Sequence, residues 1–121
     1  MKTINLEHKF DLFSEHWHPH IIAELNGQYV KLAKLKGNLV WHSHEKEDEL
    51  FMVIRGTLHM KFRDGEQSAG PGEVLVVPRG VEHYPYTKNN EEVWVMLFEP
   101  ASTRHTGDVV DERTVNDQEW I

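Results

Sequence analysis

The chain reads as an all-β protein, a small antiparallel barrel or sandwich with short helical or irregular ends. Three observations carry this reading. Apolar runs are short, and Gly and Pro punctuate them at close intervals. Helical periodicity is scarce. The cleanest segment, 57–62, alternates at period two, with Leu58, Met60 and Phe62 on one face and His59 and Lys61 on the other.

Residues 1–19 form an irregular N-terminal segment, with a short helix expected around 12–17. His20–Leu25 and Gln28–Leu35 flank Asn26-Gly27. That dipeptide suits a type I′ hairpin turn, which needs positive φ at both central residues. Further strands are expected at 40–44, at 49–54 ending near Gly56, and at 57–62, after which Asp64-Gly65 turns the chain. Val74–Val77 and 93–98 follow, separated by a loop over 78–90. These segments make about seven strands with turn signals between them, the pattern of a sandwich or small barrel. The last two strands are apolar on both faces. One face fits a core; the other needs a cover, either the N-terminal segment or a second subunit, and a homodimer is expected. Residues 101–121 read as a polar tail, with 112–120 a short helix or a frayed end. A single domain over 1–121 is expected, with the barrel core at about 20–100.

The composition is that of a soluble globular protein: 121 residues, 39% hydrophobic, 27% charged. There is no cysteine, which excludes disulfides, thiolate metal sites and a cysteine nucleophile. The net charge of −7, with no basic stripe, argues against nucleic acid and anionic membrane as partners. No signal-peptide block opens the chain, and L-F-M-V-I and V-L-V-V are too short to span a bilayer. A cytoplasmic protein is the default expectation.

The chemistry concentrates in W-H-S-H-E-K-E-D-E-L-F, residues 41–51. In a strand, residues two apart share a face, about 7 Å apart at ~3.3 Å per residue, so His42 and His44 point the same way. Glu49, after the turn at 45–48, brings a carboxylate toward the same point, with Phe51 and Val53 on its face. Asp48 would sit on the opposite face of that strand. His83 follows Pro78-Arg79-Gly80, a turn that can re-aim the chain. Neutral imidazole with carboxylate is a common donor set for zinc, iron, nickel and copper.

These residues resemble the two motifs of the cupin superfamily. The first, G-x5-H-x-H-x(3,4)-E-x6-G, is matched by Gly37, His42, His44, Glu49 and Gly56, with four residues rather than five after Gly37. The second, G-x5-P-x-G-x2-H-x3-N, is matched by Gly72, Pro78, Gly80 and His83, with Thr87 in place of Asn. The resemblance implies a double-stranded antiparallel β-barrel of the jelly-roll type. It also implies one divalent transition metal (Fe, Mn, Ni or Zn) held by His42, His44, Glu49 and His83.

Four protein ligands would close a tetrahedral zinc, whereas a six-coordinate ion keeps two adjacent positions for an oxygen-rich small molecule. A dioxygenase is slightly favoured; the alternatives are a metal-dependent sugar isomerase or lyase, or a non-catalytic small-ligand-binding or sensor cupin. No catalytic residue stands out. Counting back by twos from His42 puts Lys34 and Gln28 on the same face, as candidate contacts to a substrate anion, unless a bulge near Gly37 breaks the phase. The competing reading, a solvated Lys34 on the outer face, is favoured by the rarity of unpaired buried lysine. Phe51, Met60 and Phe62 are further candidates for lining the pocket. His16, His18 and His20 repeat the two-residue spacing with no carboxylate following in barrel context, and read, like His105, as surface or capping residues.

Overall fold

The structure, a computed structural model, describes residues 1–107 and 118–121. The first element is a helix, α1 (Leu6–Phe10), capped by the Asn5 side chain, which accepts from the His8 amide at 2.9 Å. The helix expected around 12–17 does not form. Those residues run alongside a strand instead: the Trp17 amide donates to the Lys34 carbonyl at 2.9 Å, and Trp17 takes φ +58°, which breaks a helix.

Eight strands follow. They are β1 (His20–Leu25), β2 (Gln28–Leu35), β3 (Glu49–Arg55), β4 (Leu58–Phe62), β5 (Gly65–Ala69), β6 (Val74–Val77), β7 (His83–Tyr86) and β8 (Val93–Pro100). Asn26 and Gly27 take φ +51° and +76°, the left-handed pair that the β1–β2 hairpin needs. Two expectations are corrected. Residues 40–44 form no ladder; only His42 pairs, with His83. The loop over 78–90 contains a strand, β7, and polar G-E-Q-S-A forms β5, held by its register with β4 rather than by an apolar face.

The strands make a five-stranded sheet, ordered β1-β2-β8-β3-β6, and a three-stranded sheet, ordered β5-β4-β7. Ala33, Leu35, Phe51, Val53, Val95 and Leu97 of the larger sheet meet Leu58, Met60 and Ala69 of the smaller in one core. This is an antiparallel jelly roll. The outer face of the larger sheet has its own cover. Phe10 and Phe13 pack on Leu32 of β2 and on Trp94 and Met96 of β8, with Phe10 stacked on Trp94 at 4.5 Å. The N-terminal segment therefore supplies the cover that β8 requires. At the edge, Val74 and Val76 stay exposed.

Past β8, residues 101–107 turn back across the barrel mouth. Residues 118–121 run beside β1, with the Ile21 amide donating to the Glu119 carbonyl at 2.8 Å. Of the segment expected as a short helix or frayed end, 112–117 lie outside the described residues. Among the described residues, no helix is long and apolar enough to cross a membrane.

Candidate metal centre

In β2 the inner face carries Ala33 and Leu35, so even-numbered residues face outward. Between Leu39, which is also inside, and His42 the irregular chain changes phase, and His42 and His44 turn inward. Reciprocal backbone bonds hold this segment: His42 N to His83 O at 3.0 Å and His83 N to His42 O at 2.9 Å. Gly80 N donates to His44 O at 2.7 Å. At the base of the segment the Thr87 hydroxyl accepts from Gly37 N at 2.8 Å, while Thr87 N donates to Gly37 O at 2.7 Å. Thr87, which replaces the motif's Asn, thus clasps the start of the loop.

Glu49, the first residue of β3, faces the same point. Its neighbour Asp48 turns to the surface and accepts from the Arg79 amide at 2.8 Å. His42, His44, Glu49 and His83 are all buried, and one ligand atom from each lies within 4.8 Å of the others.

Each histidine commits one ring nitrogen to a backbone carbonyl. His42 Nδ1 donates to Val40 O at 2.7 Å and His83 Nδ1 to Val81 O at 3.0 Å. His44 donates through Nε2 to Arg104 O at 2.8 Å. A carbonyl only accepts, so these contacts fix the tautomers in the neutral rings. His42 and His83 present unprotonated Nε2, and His44 presents unprotonated Nδ1. Such anchoring is the usual second shell of metal-ligating histidine.

The electrostatics agree. Burial, then the neighbouring His83, pushes His42 down to about 3. Burial also lowers His44 and His83. Burial raises Glu49, against the neighbouring Glu99 and the charge of Lys31. Glu49 Oε1 and His83 Nε2 lie 3.6 Å apart, buried and without hydrogen-bond partners. Orphaned buried polar atoms are costly. A divalent cation between three neutral imidazoles and a carboxylate would satisfy them, so the donor set fits a transition metal.

Behind Glu49 lies a buried pair that spacing did not reveal: Lys31 Nζ is 2.8 Å from Glu99 Oε1, each residue 1% exposed. Lys31 also donates to Thr103 O at 3.3 Å. Burial and the charge of Glu49 push Glu99 well above the ordinary carboxylate range.

A small cavity of about 30 Å³ opens beside His42 and Glu49. Its walls are Trp17, Pro19, Ala33, Leu35, Leu39, Phe51, Pro85, Val95 and Leu97, with His105 as the polar side chain beyond the two ligands. Of the residues expected to line a pocket, Phe51 does. Met60 is buried deeper in the core, and Phe62 packs at its edge. Gln28 sits at the start of β2, paired with Pro100. Lys34 is on the outer face, donating to Phe13 O at 2.7 Å and lying 5.0 Å from the Trp94 ring. This is the favoured outer-face placement, and the change of phase after Leu39 is what separates Lys34 from the face of His42.

The segment 101–107, read from sequence as a polar tail, completes the site. It supplies Arg104 O and His105, and it crosses the His42–His44 segment so closely that a Cβ on Gly107 would stand 2.1 Å from Ser43 O. Gly107 also takes φ +60°, so glycine is required there twice over. No local spacing announces this contact.

Comparison with known proteins places these features in context. The family model described as Cupin domain (Cupin_2) matches residues 29–99. A cupin-2 domain containing protein from Shewanella frigidimarina NCIMB 400 is 47% identical in sequence, with a TM-score of 0.78 over 81% of this chain and 94% of that one. Protein NMB1881 from Neisseria meningitidis is 33% identical, with a TM-score of 0.73 over 83% of this chain and all of that one (100%). Uncharacterized protein YdbB of Bacillus subtilis (strain 168) is 38% identical over 63 residues, which span 51% of this chain and 56% of that protein.

Proposed function

The chain belongs to the cupin domain family, and on that premise we propose that it is a metal-dependent oxidoreductase of the dioxygenase class. Its substrate would be a small molecule that presents a chelating pair of oxygens on an apolar body. The observation that carries this reading is the cavity wall, which is apolar apart from His42, Glu49 and His105. A polyhydroxylated sugar set against such a wall would leave hydroxyl groups without partners, at about 1–3 kcal/mol each. The isomerase or lyase alternative is therefore the weaker one.

His42 and His83 through Nε2, His44 through Nδ1 and Glu49 through Oε1 would hold the ion. Bound there, a six-coordinate ion would supply redox or Lewis-acid chemistry at two adjacent open positions. The chain's own residues do the rest. Trp17, Leu35, Phe51 and Leu97 exclude water and orient the apolar body. Three neutral imidazoles and one carboxylate leave a divalent ion near +1, which favours an enolate or similar anion. His105, on the cavity wall, is placed to accept a hydrogen bond or a proton from a substrate hydroxyl.

Two measurements test the reading. Elemental analysis of protein purified without added metal should give near-stoichiometric iron in wild type and none in His44→Ala. Iron-loaded protein should then consume oxygen with small enolisable dicarbonyl or vicinal dihydroxy compounds, more slowly in His105→Ala. Isomerisation of sugar phosphates without oxygen uptake would overturn the dioxygenase assignment. Absence of any metal, with the fold intact, would overturn the metalloenzyme.

A further inference from the structure

A second cluster of potential ligands lies outside the barrel centre. His20 opens β1, is 2% exposed, and has no hydrogen-bond partner on either ring nitrogen. His18 Nε2 is likewise buried and unpartnered. The two rings stack at 4.8 Å and 13°, on either side of Pro19, so their nitrogens are offered side by side. Glu15 Oε2 is 3.7 Å from His20 Nε2, too far for a hydrogen bond, while its other oxygen accepts from Ser14 N at 3.2 Å. One ligand atom from each of Glu15, His18 and His20 lies within 4.8 Å of the others. His16, although two residues from His18, is not part of this group: its Nε2 contacts Glu92 at 2.7 Å.

The geometry points to a second divalent-metal site, formed by Glu15, His18 and His20 and suited to zinc or a similar borderline ion. Buried imidazole without partners is costly, and an ion would take one orphaned nitrogen from each of His18 and His20 at once. Tetrahedral zinc bonds of about 2.0–2.1 Å set neighbouring ligands roughly 3.4 Å apart, so the contraction needed is small. The half-exposed Glu15 side chain can supply most of it. Two neutral imidazoles and a carboxylate give a three-ligand set whose fourth position opens to solvent on the Glu15 side. Burial and the adjacent His18 lower the pKa of His20, and Glu15 is held low by backbone hydrogen bonds. Both shifts favour the ligating forms, with Glu119 the other acidic group acting on His20. Trp17 and Pro19, interleaved with these ligands, wall the central cavity. An ion here therefore clips the strap that closes that cavity.

The test is zinc stoichiometry by equilibrium dialysis of metal-free protein, followed by elemental analysis, with cobalt(II) absorption as a second readout. Wild type should hold one more ion per chain than either His18→Gln or Glu15→Gln. His44→Ala should keep an ion with the intense visible bands of four-coordinate cobalt, and those bands should vanish when His18→Gln is added. Zinc should also raise the melting temperature of His44→Ala, but not of His44→Ala with His18→Gln. A single ion lost from His18→Gln and kept by His44→Ala would still support the second site, whatever happens at the centre. Stoichiometry, cobalt spectrum and melting shift all unchanged by His18→Gln and Glu15→Gln would overturn it.

Discussion

Replacing Lys31 by Met should be among the most damaging single changes in this protein, although Lys31 touches none of the four central ligands' donor atoms. Its ammonium lies 2.8 Å from Glu99, both groups are 1% exposed, and Glu99 feels the charge of Glu49. Removing one partner of a buried pair leaves an uncompensated charge, which costs about 3–5 kcal/mol. Here two carboxyls lose their cation together. The sign with pH follows. Burial already holds both carboxyls above the ordinary carboxylate value, and losing Lys31 raises them further. A carboxyl with a raised folded pKa keeps full stability below its unfolded value and loses it as pH rises through the folded one. The Lys31→Met deficit should therefore be small near pH 4.5 and grow toward pH 7. Adding Glu99→Gln should recover about 2 kcal/mol or more, since it removes one of the stranded charges. Urea unfolding of metal-free protein at both pH values measures this. A loss below about 1 kcal/mol at pH 7, or one independent of pH, would refute the reasoning.

Other consequences can be checked in the same way. The pKa of His42 falls from 6.5 to about 3 on folding, so the unfolded chain binds more protons between those values. Stability of metal-free protein should fall with acid by about 1.4 kcal/mol per pH unit from His42 alone in mid-window, and His42→Gln should flatten that slope. Gly107→Ala puts a Cβ 2.1 Å from Ser43 O and must push 101–107 away, breaking the 2.8 Å bond from His44 to Arg104 O. Chelator competition should show metal affinity at the centre reduced about 10–100-fold, and an unchanged affinity would count against this coupling. Val74 and Val76 are 53% and 52% exposed on edge strand β6, an apolar edge that could serve the expected homodimer. Light scattering should give a dimer for wild type and a monomer for Val76→Lys; a wild-type monomer would end the dimer expectation.

What the sequence reveals of this fold is what local chemistry specifies. Asn26-Gly27 announces its hairpin because the turn's dihedrals are a property of two residues. His42, His44, Glu49 and His83 are legible because the two cupin motifs that they resemble are local patterns in the chain. β5 is not, because G-E-Q-S-A has no apolar face and is a strand only by pairing with β4. The inward phase of β2 could not be carried through from His42, since the irregular chain after Leu39 resets it. Lys31, the buried lysine that pairs with Glu99, and Lys34, which caps Phe13 O outside, differ by three positions in one strand. Only the tertiary phase tells them apart. His18 and His20 carry no motif of their own, because the nearby carboxylate, Glu15, precedes them in the chain.

The three central histidines are not held in equivalent ways. His42 and His83 anchor Nδ1 on carbonyls two residues back, Val40 and Val81, so each is oriented by its own turn. His44 is anchored through the opposite nitrogen, to Arg104, sixty residues away. Two of the candidate ligands are thus oriented by local backbone, while the third takes its tautomer from a distant segment at the mouth. That same segment brings His105 to the cavity wall. On the opposite rim, Trp17 donates through Nε1 to Lys36 O at 2.9 Å and holds the N-terminal strap against the end of β2. The central site is therefore assembled from both flanks of the barrel as well as from its strands. A ligand that binds only with both flanks docked would favour docking by the same factor that docking favours its binding.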